Sequence, residues 1–421
     1  MSADKKVPDI RFKGFRGEWG EKELNNEVEF FSGLTYSPSD VRKTGTLVLR
    51  SSNVKNGQLL QVDNVYVNPE VVNCSNVIKG DVIVVVRNGS KSLIGKHALV
   101  TSYMDNTVIG AFMTGIRSKQ SKFINALLDT NKFNAEVEKN LGATINQITT
   151  GSFKRMRFAF PTDIEQTTIG NYFQKLDNLI NQHQQKHDKL SNIKKAMLEK
   201  MFPKPGETVP EIRFKGFSGA WKIEPFGVCF ANIPNNSLSR ANLNYENGIT
   251  KNIHYGDILI KFGEILDATN EILPFITNDD IANKLKHATL RDGDVIIADA
   301  AEDSMVGKCT ELFNINGQSI VSGLHTIAVR PTLSFASKYL GYYLNSSSYH
   351  DQLLSLMQGT KVLSISKATI QTTNVTFPKS SEEQTAIGNY FQKLDTLIEQ
   401  HQQQITKLNN IKQACLSKMF I

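Results

Sequence analysis

The chain has 421 residues, 40% of them apolar, and its 48 Lys and Arg against 41 Asp and Glu give a net charge of +7. This length suits two to four domains of ordinary composition, and the basic balance permits a polyanionic partner without requiring one. The opening residues, MSADKKVPDI, lack the apolar core of a secretion signal, and the longest aliphatic run, Val82 to Val86, is far too short to span a bilayer, so the expected setting is cytoplasmic, with no membrane partner.

In chain order, the first distinctive stretch is a head, Val7 to Trp19 (VPDIRFKGFRGEW). A middle, roughly 23–160, follows, in which short β-branched runs bounded by Gly, Asn, Asp and Pro predict strands. It contains a helical piece, Phe123 to Asn140, and closes on a strand ending at Phe160-Pro161. Ile169 to Phe202 then reads IGNYFQKLDNLINQHQQKHDKLSNIKKAMLEKMF, rich in good helix formers. Its apolar positions, Ile169, Phe173, Leu176 and Ile180, then Leu190, Ile193 and Met197, have the spacing of a coiled-coil seam. A helix of this length runs about 50 Å, and its single apolar stripe needs a partner. His183, His187 and His401 fall on or near the seam, where polar residues set register more often than they bind metal. The prolines of Pro203 to Thr208 (PKPGET) then stop the helix and mark a linker.

The same order then repeats. The head recurs as Val209 to Trp221 (VPEIRFKGFSGAW), agreeing at 10 of 13 positions, and the helix recurs as Ile387 to Phe420, agreeing at 25 of 34. Heads lie 202 residues apart and helices 218, so the second middle, 225–377, is 16 residues longer. The middles share only anchors. Gly80-Asp81-Val82-Ile83 matches Gly293-Asp294-Val295-Ile296, and Ile94-Gly95-Lys96 matches Val306-Gly307-Lys308. Gly110 and Arg117 match Gly323 and Arg330. Each middle has one helical piece, Ser337 to Met357 in the second, and each closes on Phe-Pro. One scaffold with divergent loops is the arrangement expected when loops carry recognition.

Catalytic patterns are missing. Gly89 to His97 (GSKSLIGKH) resembles a phosphate loop superficially, but five residues separate its glycines and His97 stands where a magnesium-binding hydroxyl belongs. No G-x-S-x-G, H-E-x-x-H, G-x-G-x-x-G or Asn/Asp-Pro-Pro-Tyr/Phe occurs. Asp299, Glu302 and Asp303 have no acidic counterpart in the first middle. The four cysteines, Cys74, Cys229, Cys309 and Cys415, are scattered without a CxxC pair, which argues against zinc and disulfides. The chain reads as a binder, with no catalytic residue and no metal ligand.

The paired IRFKGF…W heads, the GDVI…GK anchors, Gly323-Leu324-His325-Thr326 and the duplicated IGNYFQKLD helices closely resemble the specificity subunit of type I restriction-modification systems, over nearly the whole chain. The resemblance implies an α+β fold: two mixed α/β target recognition domains separated by two long antiparallel coiled-coil helices, as an internal pseudo-twofold repeat. It implies double-stranded DNA as ligand, two modification (methyltransferase) subunits and two restriction (nuclease/translocase) subunits as partners, and no cofactor in this chain. S-adenosylmethionine, ATP and Mg would reside on the partners. Two differing readers would address two differing half-sites, with helix length setting the gap between them.

Base reading needs bidentate side chains on loops, whereas phosphate contacts need only cations and amides. In the first middle, Arg87, Asn88, Ser90 and Lys91 follow a strand in a compact basic turn, for which a plain solvated hairpin is the alternative. Lys96 and Lys308 match each other, which suits a shared phosphate contact or a scaffold role. Asn146 and Gln147, in Thr144 to Thr150, align with Lys361, Ser364 and Ser366, and differ as specificity residues should. His254, Lys261 and His325 are further candidates in the second middle. Arg117 and Arg330 match and cannot encode a difference, so packing or phosphate contact suits them. Phe12, Phe15, Trp19, Phe214, Phe217 and Trp221 are expected to lock the heads onto the helices rather than to form a subunit-binding patch.

The domain reading is 1–164 for the first recognition domain, 165–202 for its helix, 203–208 for the linker, 209–382 for the second domain and 383–421 for its helix. Two other functions fit the pattern less well: the specificity subunit of a methyltransferase-nuclease cutting near its site, and a coiled-coil scaffold whose middles bind proteins.

Overall fold

The computed structural model describes residues 6–142 and 145–421, so the Thr144 end of the first candidate loop lies outside the described residues. Contacts divide the chain into two compact units, and the division does not follow chain order. Residues 1–184 and 402–421 make the first unit, and 185–401 make the second. The long helices, Asp163–Lys200 and Ser381–Met419, are each continuous and each contribute one part to either unit. This departs from the sequence reading, which gave every helix to a segment of its own.

In the first unit, strands Glu29–Ser32, Met113–Arg117, Val82–Val85 and His97–Leu99 lie side by side in that order, all antiparallel. The Val-Ile-Val-Val run forms an interior strand because all four side chains can be buried. Val82 and Val84 face one core while Ile83 and Val85 face another, as alternation across a strand requires. Gly80, at φ +98°, makes the left-handed turn that starts this strand. A second sheet orders Thr107–Ile109, Thr46–Leu49, Val65–Val67 and Val41–Arg42, its first pair parallel.

The second unit repeats the plan. Strands Phe230–Ile233, Thr326–Pro331, Val295–Ala298 and Cys309–Phe313 take the same antiparallel order, and Ile265–Asp267 adds a parallel fifth strand at the edge. Val295 and Ile297 face one core, Ile296 and Ala298 another. Each helical piece read from the sequence is two helices: Ser121–Leu128 with Asn131–Asn140, and Tyr339–Asn345 with Ser347–Leu354. In the first pair the break is made by Thr130, whose side chain caps the second helix by accepting from the Phe133 amide.

Heads and helices assemble identically in both units. The closing strand pairs with the strand after the head, Gly20 opposite Phe160 in one unit and Lys222 opposite Phe377 in the other. Arg11 donates twice to Glu165 at 2.6 and 2.7 Å, and Arg213 twice to Glu383 at 2.7 and 2.8 Å. Trp19 meets Phe420 edge-on at 6.2 Å, and Trp221 meets Phe202 at the same distance. Phe12 and Phe214 lie edge-on to Tyr172 and Tyr390. The heads thus lock the recognition domains to the helices, as expected, although Phe15 and Phe217 are only half-buried. Within the expected linker Pro203 is buried, and Lys204, Pro205, Gly206 and Glu207 are exposed.

Inside the first unit the start of one long helix runs antiparallel to the end of the other. Phe173 packs near Phe420, and Asp177 accepts from Lys412 at 2.7 Å. Inside the second unit Lys194 donates to Asp395 at 2.6 Å. Lys194 and Lys412, like Asp177 and Asp395, are 218 residues apart, so one contact is made twice with the helices exchanging roles. Each lysine also holds its recognition domain, Lys412 through Asp129 at 2.6 Å and Lys194 through Glu264 at 2.8 Å.

Candidate nucleic-acid interface

The interior strand of the first unit runs out at Val85, and the chain beyond it is held from two sides. The amides of Val86 and Arg87 both donate to the Phe112 carbonyl, at 3.0 and 3.2 Å. The Ile148 amide donates to the Val86 carbonyl at 2.9 Å, and Arg87 bridges Gln147. Asn88 donates its amide to the Asn146 carbonyl, its side chain to Ser51 at 3.0 Å, and accepts from the Ser90 amide at 3.0 Å. Asn146 returns a side-chain bond to the Gly89 carbonyl at 3.0 Å. Arg87, Asn88, Ser90, Asn146 and Gln147, far apart in sequence, therefore share one surface, with exposed Lys91 on the same turn.

The second unit builds the same junction from different side chains. The Asp299 amide donates to the His325 carbonyl at 3.1 Å, and the Ile365 amide donates to the Asp299 carbonyl at 2.9 Å. Ala300 pairs with Ser364 where Arg87 bridges Gln147. Ser366, like Thr149, caps the next short helix. His325 sits at φ +53°, half-exposed, with Nδ1 3.2 Å from the Asp299 carboxylate. Burial pushes the Asp299 pKa up, against the opposing pull of His325. Ser364, Ser366 and His325 are thus brought together, and exposed Lys361 lies on the loop leading into them.

Of the remaining candidates, Lys308, Lys261 and His254 have internal partners. Lys308 donates to the Leu259 carbonyl at 3.0 Å, and burial lowers its pKa, whereas Lys96 is exposed, so the matched lysines do not act alike. What their motif shares is glycine. Gly95 and Gly307, at φ +86° and +88°, return their amides to Val85 and Ala298, and a Cβ at Gly307 would meet Leu353 at 2.3 Å. Lys261 is tied to the Ile272 carbonyl at 2.7 Å and to Glu271 at 3.2 Å. His254 is buried and accepts from the Gly256 amide, and burial, then the charge of Arg240, lowers its pKa, so it is neutral and structural. Tyr255 links it to the junction, its ring tilted against His254 at 4.6 Å and edge-on to His325 at 5.2 Å. Arg117 and Arg330 hold buried Asp81 and Asp294 with two bonds each, all within 2.7 to 2.9 Å, so both have a packing role. No group of His, Cys, Asp and Glu among the described residues could hold a metal.

Sequence reasoning missed Phe112, Ser51, Asn235 and Tyr255. Phe112 was within reach, because it lies 213 residues before His325, the offset that relates Gly110 to Gly323. Asn235, which accepts from Lys367 at 2.9 Å, carried no such signal.

The family described as Type I restriction modification DNA specificity domain matches residues 16–192 and 232–410. The chain is 23% identical over 392 residues to the type I restriction enzyme EcoKI specificity subunit of Escherichia coli (strain K12), covering 89% of this chain and 81% of that protein. It is 23% identical over 432 residues to the StySPI specificity subunit of Salmonella potsdam, covering 96% and 88%. The crystal structure of a type I restriction-modification S subunit from M. genitalium superposes with a TM-score of 0.60 at 14% identity over 99% of each chain, a likeness of fold.

Proposed function

Since the chain belongs to the type I restriction-modification DNA specificity family, we propose that each unit reads one half of an asymmetric, two-part duplex target and that the long helices set the gap between the halves. The observation that supports this reading most is the twin junction. The same main-chain bonds, from residue 148 to 86 and from 365 to 299, present Arg87, Asn146 and Gln147 in one unit but Ala300, Ser364 and His325 in the other. A shared frame with unlike hydrogen-bonding groups suits two readers of different sequences.

The helices suit the docking of two copies of one partner, which we identify with the modification subunits. Gln185, Lys189, Asn192, Ile193 and Ala196 line a shallow groove in the second unit, and Gln403, Lys407, Asn410, Ile411 and Ala414 line its counterpart in the first. Of the six lining positions common to both grooves these five are the same, Asp188 against Thr406 being the exception, although Gln185, Lys189 and Asn192 and their twins are exposed. Helix packing does not demand identity at exposed positions, and a repeated partner does. The reading is tested by binding of the assembled complex to duplex DNA across a salt series. Affinity should fall linearly on a logarithmic scale as cations replace phosphate contacts. Binding that ignores salt, or no binding, would sink it.

A further inference from the structure

At the tip of the first unit's junction the Arg87 guanidinium lies 4.9 Å from the centroid of the Phe112 ring. Arg87 is exposed and Phe112 is 52% exposed, so this stack covers no core and stabilises little by burial. Two backbone bonds hold the main chain of Phe112 beside that of Arg87, because the Phe112 carbonyl accepts from the amides of Val86 and Arg87. The neighbouring polar side chains are largely occupied in shaping the turn: Asn88 on Ser51 and the Ser90 amide, Asn146 on the Gly89 carbonyl. Among the described residues no carboxylate or carbonyl takes the Arg87 N–H groups. An arginine whose guanidinium is held over an aromatic ring and whose fork is unspent is pre-organised for a planar, two-acceptor partner. In the major groove that partner is guanine, through O6 and N7. The second unit is an internal contrast, with Ala300 in the place of Arg87 and His325 in the place of Phe112.

We propose that Arg87, laid across the Phe112 ring, reads a guanine in the part of the target addressed by the first unit, and that Phe112 is the residue that positions it. The inference rests on the DNA-recognition reading above and adds a base and a positioning residue to it. The test is methylation sequencing of a host expressing the chain with its modification subunits, as wild type and as Arg87→Lys, Phe112→Leu and Phe112→Tyr. Arg87→Lys keeps the charge and loses the fork, so the methylated motif should become degenerate at one G·C pair, with discrimination there falling roughly tenfold or more, while the other half stays sharp. Phe112→Leu keeps an apolar wedge but loses the ring face, and should relax the same pair. Phe112→Tyr should leave the motif sharp. An Arg87→Lys motif that is unchanged, absent, or degenerate elsewhere overturns the guanine contact. A sharp Phe112→Leu motif beside a degenerate Arg87→Lys motif overturns the positioning role. A wild type that methylates nothing would overturn the underlying reading instead.

Discussion

Single residues in this chain divide into those that fasten and those that face outward, and burial separates them. Glu165 is 1% exposed and depends on Arg11 for both its oxygens. Arg11→Ala leaves that carboxylate buried and unpaired, and should destabilise the first unit by about 3 kcal/mol, with Arg213→Ala doing the same to the second through Glu383. Urea denaturation of each variant checks this, and a loss below about 1 kcal/mol would mean water replaces the arginine. His97 gives a pH signature. Its two ring nitrogens face the Gly95 carbonyl at 3.0 Å and the Asn125 carbonyl at 3.2 Å, with the Asp129 carboxylate 3.4 Å away, so the doubly protonated ring is the satisfied form. Burial alone would lower the His97 pKa, but the hydrogen bond and charge of Asp129 outweigh it and raise the value above 6.5. Burial would likewise raise Asp129, yet His97 and Lys412 hold it down to about 2. The stability from His97 is therefore full below pH 6.5 and lost as pH rises through its folded value. That from Asp129 is full above pH 3.8 and lost as pH falls toward 2. Melting temperatures of wild type and His97→Gln should converge as pH rises from 6 to 9, and divergence would contradict the assignment. Neither role was legible from the sequence, because Gly95, Asn125 and Asp129 meet His97 only in the fold.

At the scale of elements, the long helices and the Val82–Val85 strand were legible because both rest on residue pattern, whereas the order of the strands was not. Seven seam positions and a run of four β-branched residues suffice to place a helix face and an interior strand. The division of each helix between two compact units was not legible, since periodicity says that a partner exists and not where one partner ends. Ion pairs lock each pairing beside its apolar contacts. Lys412 holds Asp177 and Asp129, and is 14% exposed on its side chain. Lys412→Met removes one cation from between two carboxylates and should destabilise the first unit by about 3 to 5 kcal/mol. Hydrogen exchange should show residues 402–421 losing protection first, and protection lost uniformly over the chain would argue against this lock. The outer helix faces make a separate prediction. Asn192→Arg and Asn410→Arg each obstruct one groove at an exposed position and should leave the melting temperature within about a degree of wild type. Native mass spectrometry should find one modification subunit lost with either change and both lost with the pair. Two subunits retained by the double variant would move the docking site elsewhere.

On the scale of the molecule, duplication explains what is alike and what is not. Heads, helices, the Gly-Asp-Val-Ile strand and the Arg117–Asp81 and Arg330–Asp294 pairs are alike because they are scaffold, and Sequence comparison within the chain finds them for that reason. On the proposed reading the junction residues are unlike because each unit meets its own half of the target, so likeness could place Phe112 opposite His325 but could not rank Arg87 above Lys96. The most direct test of this account is to exchange residues 23–160 for the corresponding middle of another member of the family and sequence the methylation that the complex leaves on host DNA. The account predicts a two-part motif with a fixed gap, in which one half is replaced while the other half and the gap are retained. A motif that changes in both halves, or an undivided motif in the wild type, would contradict it.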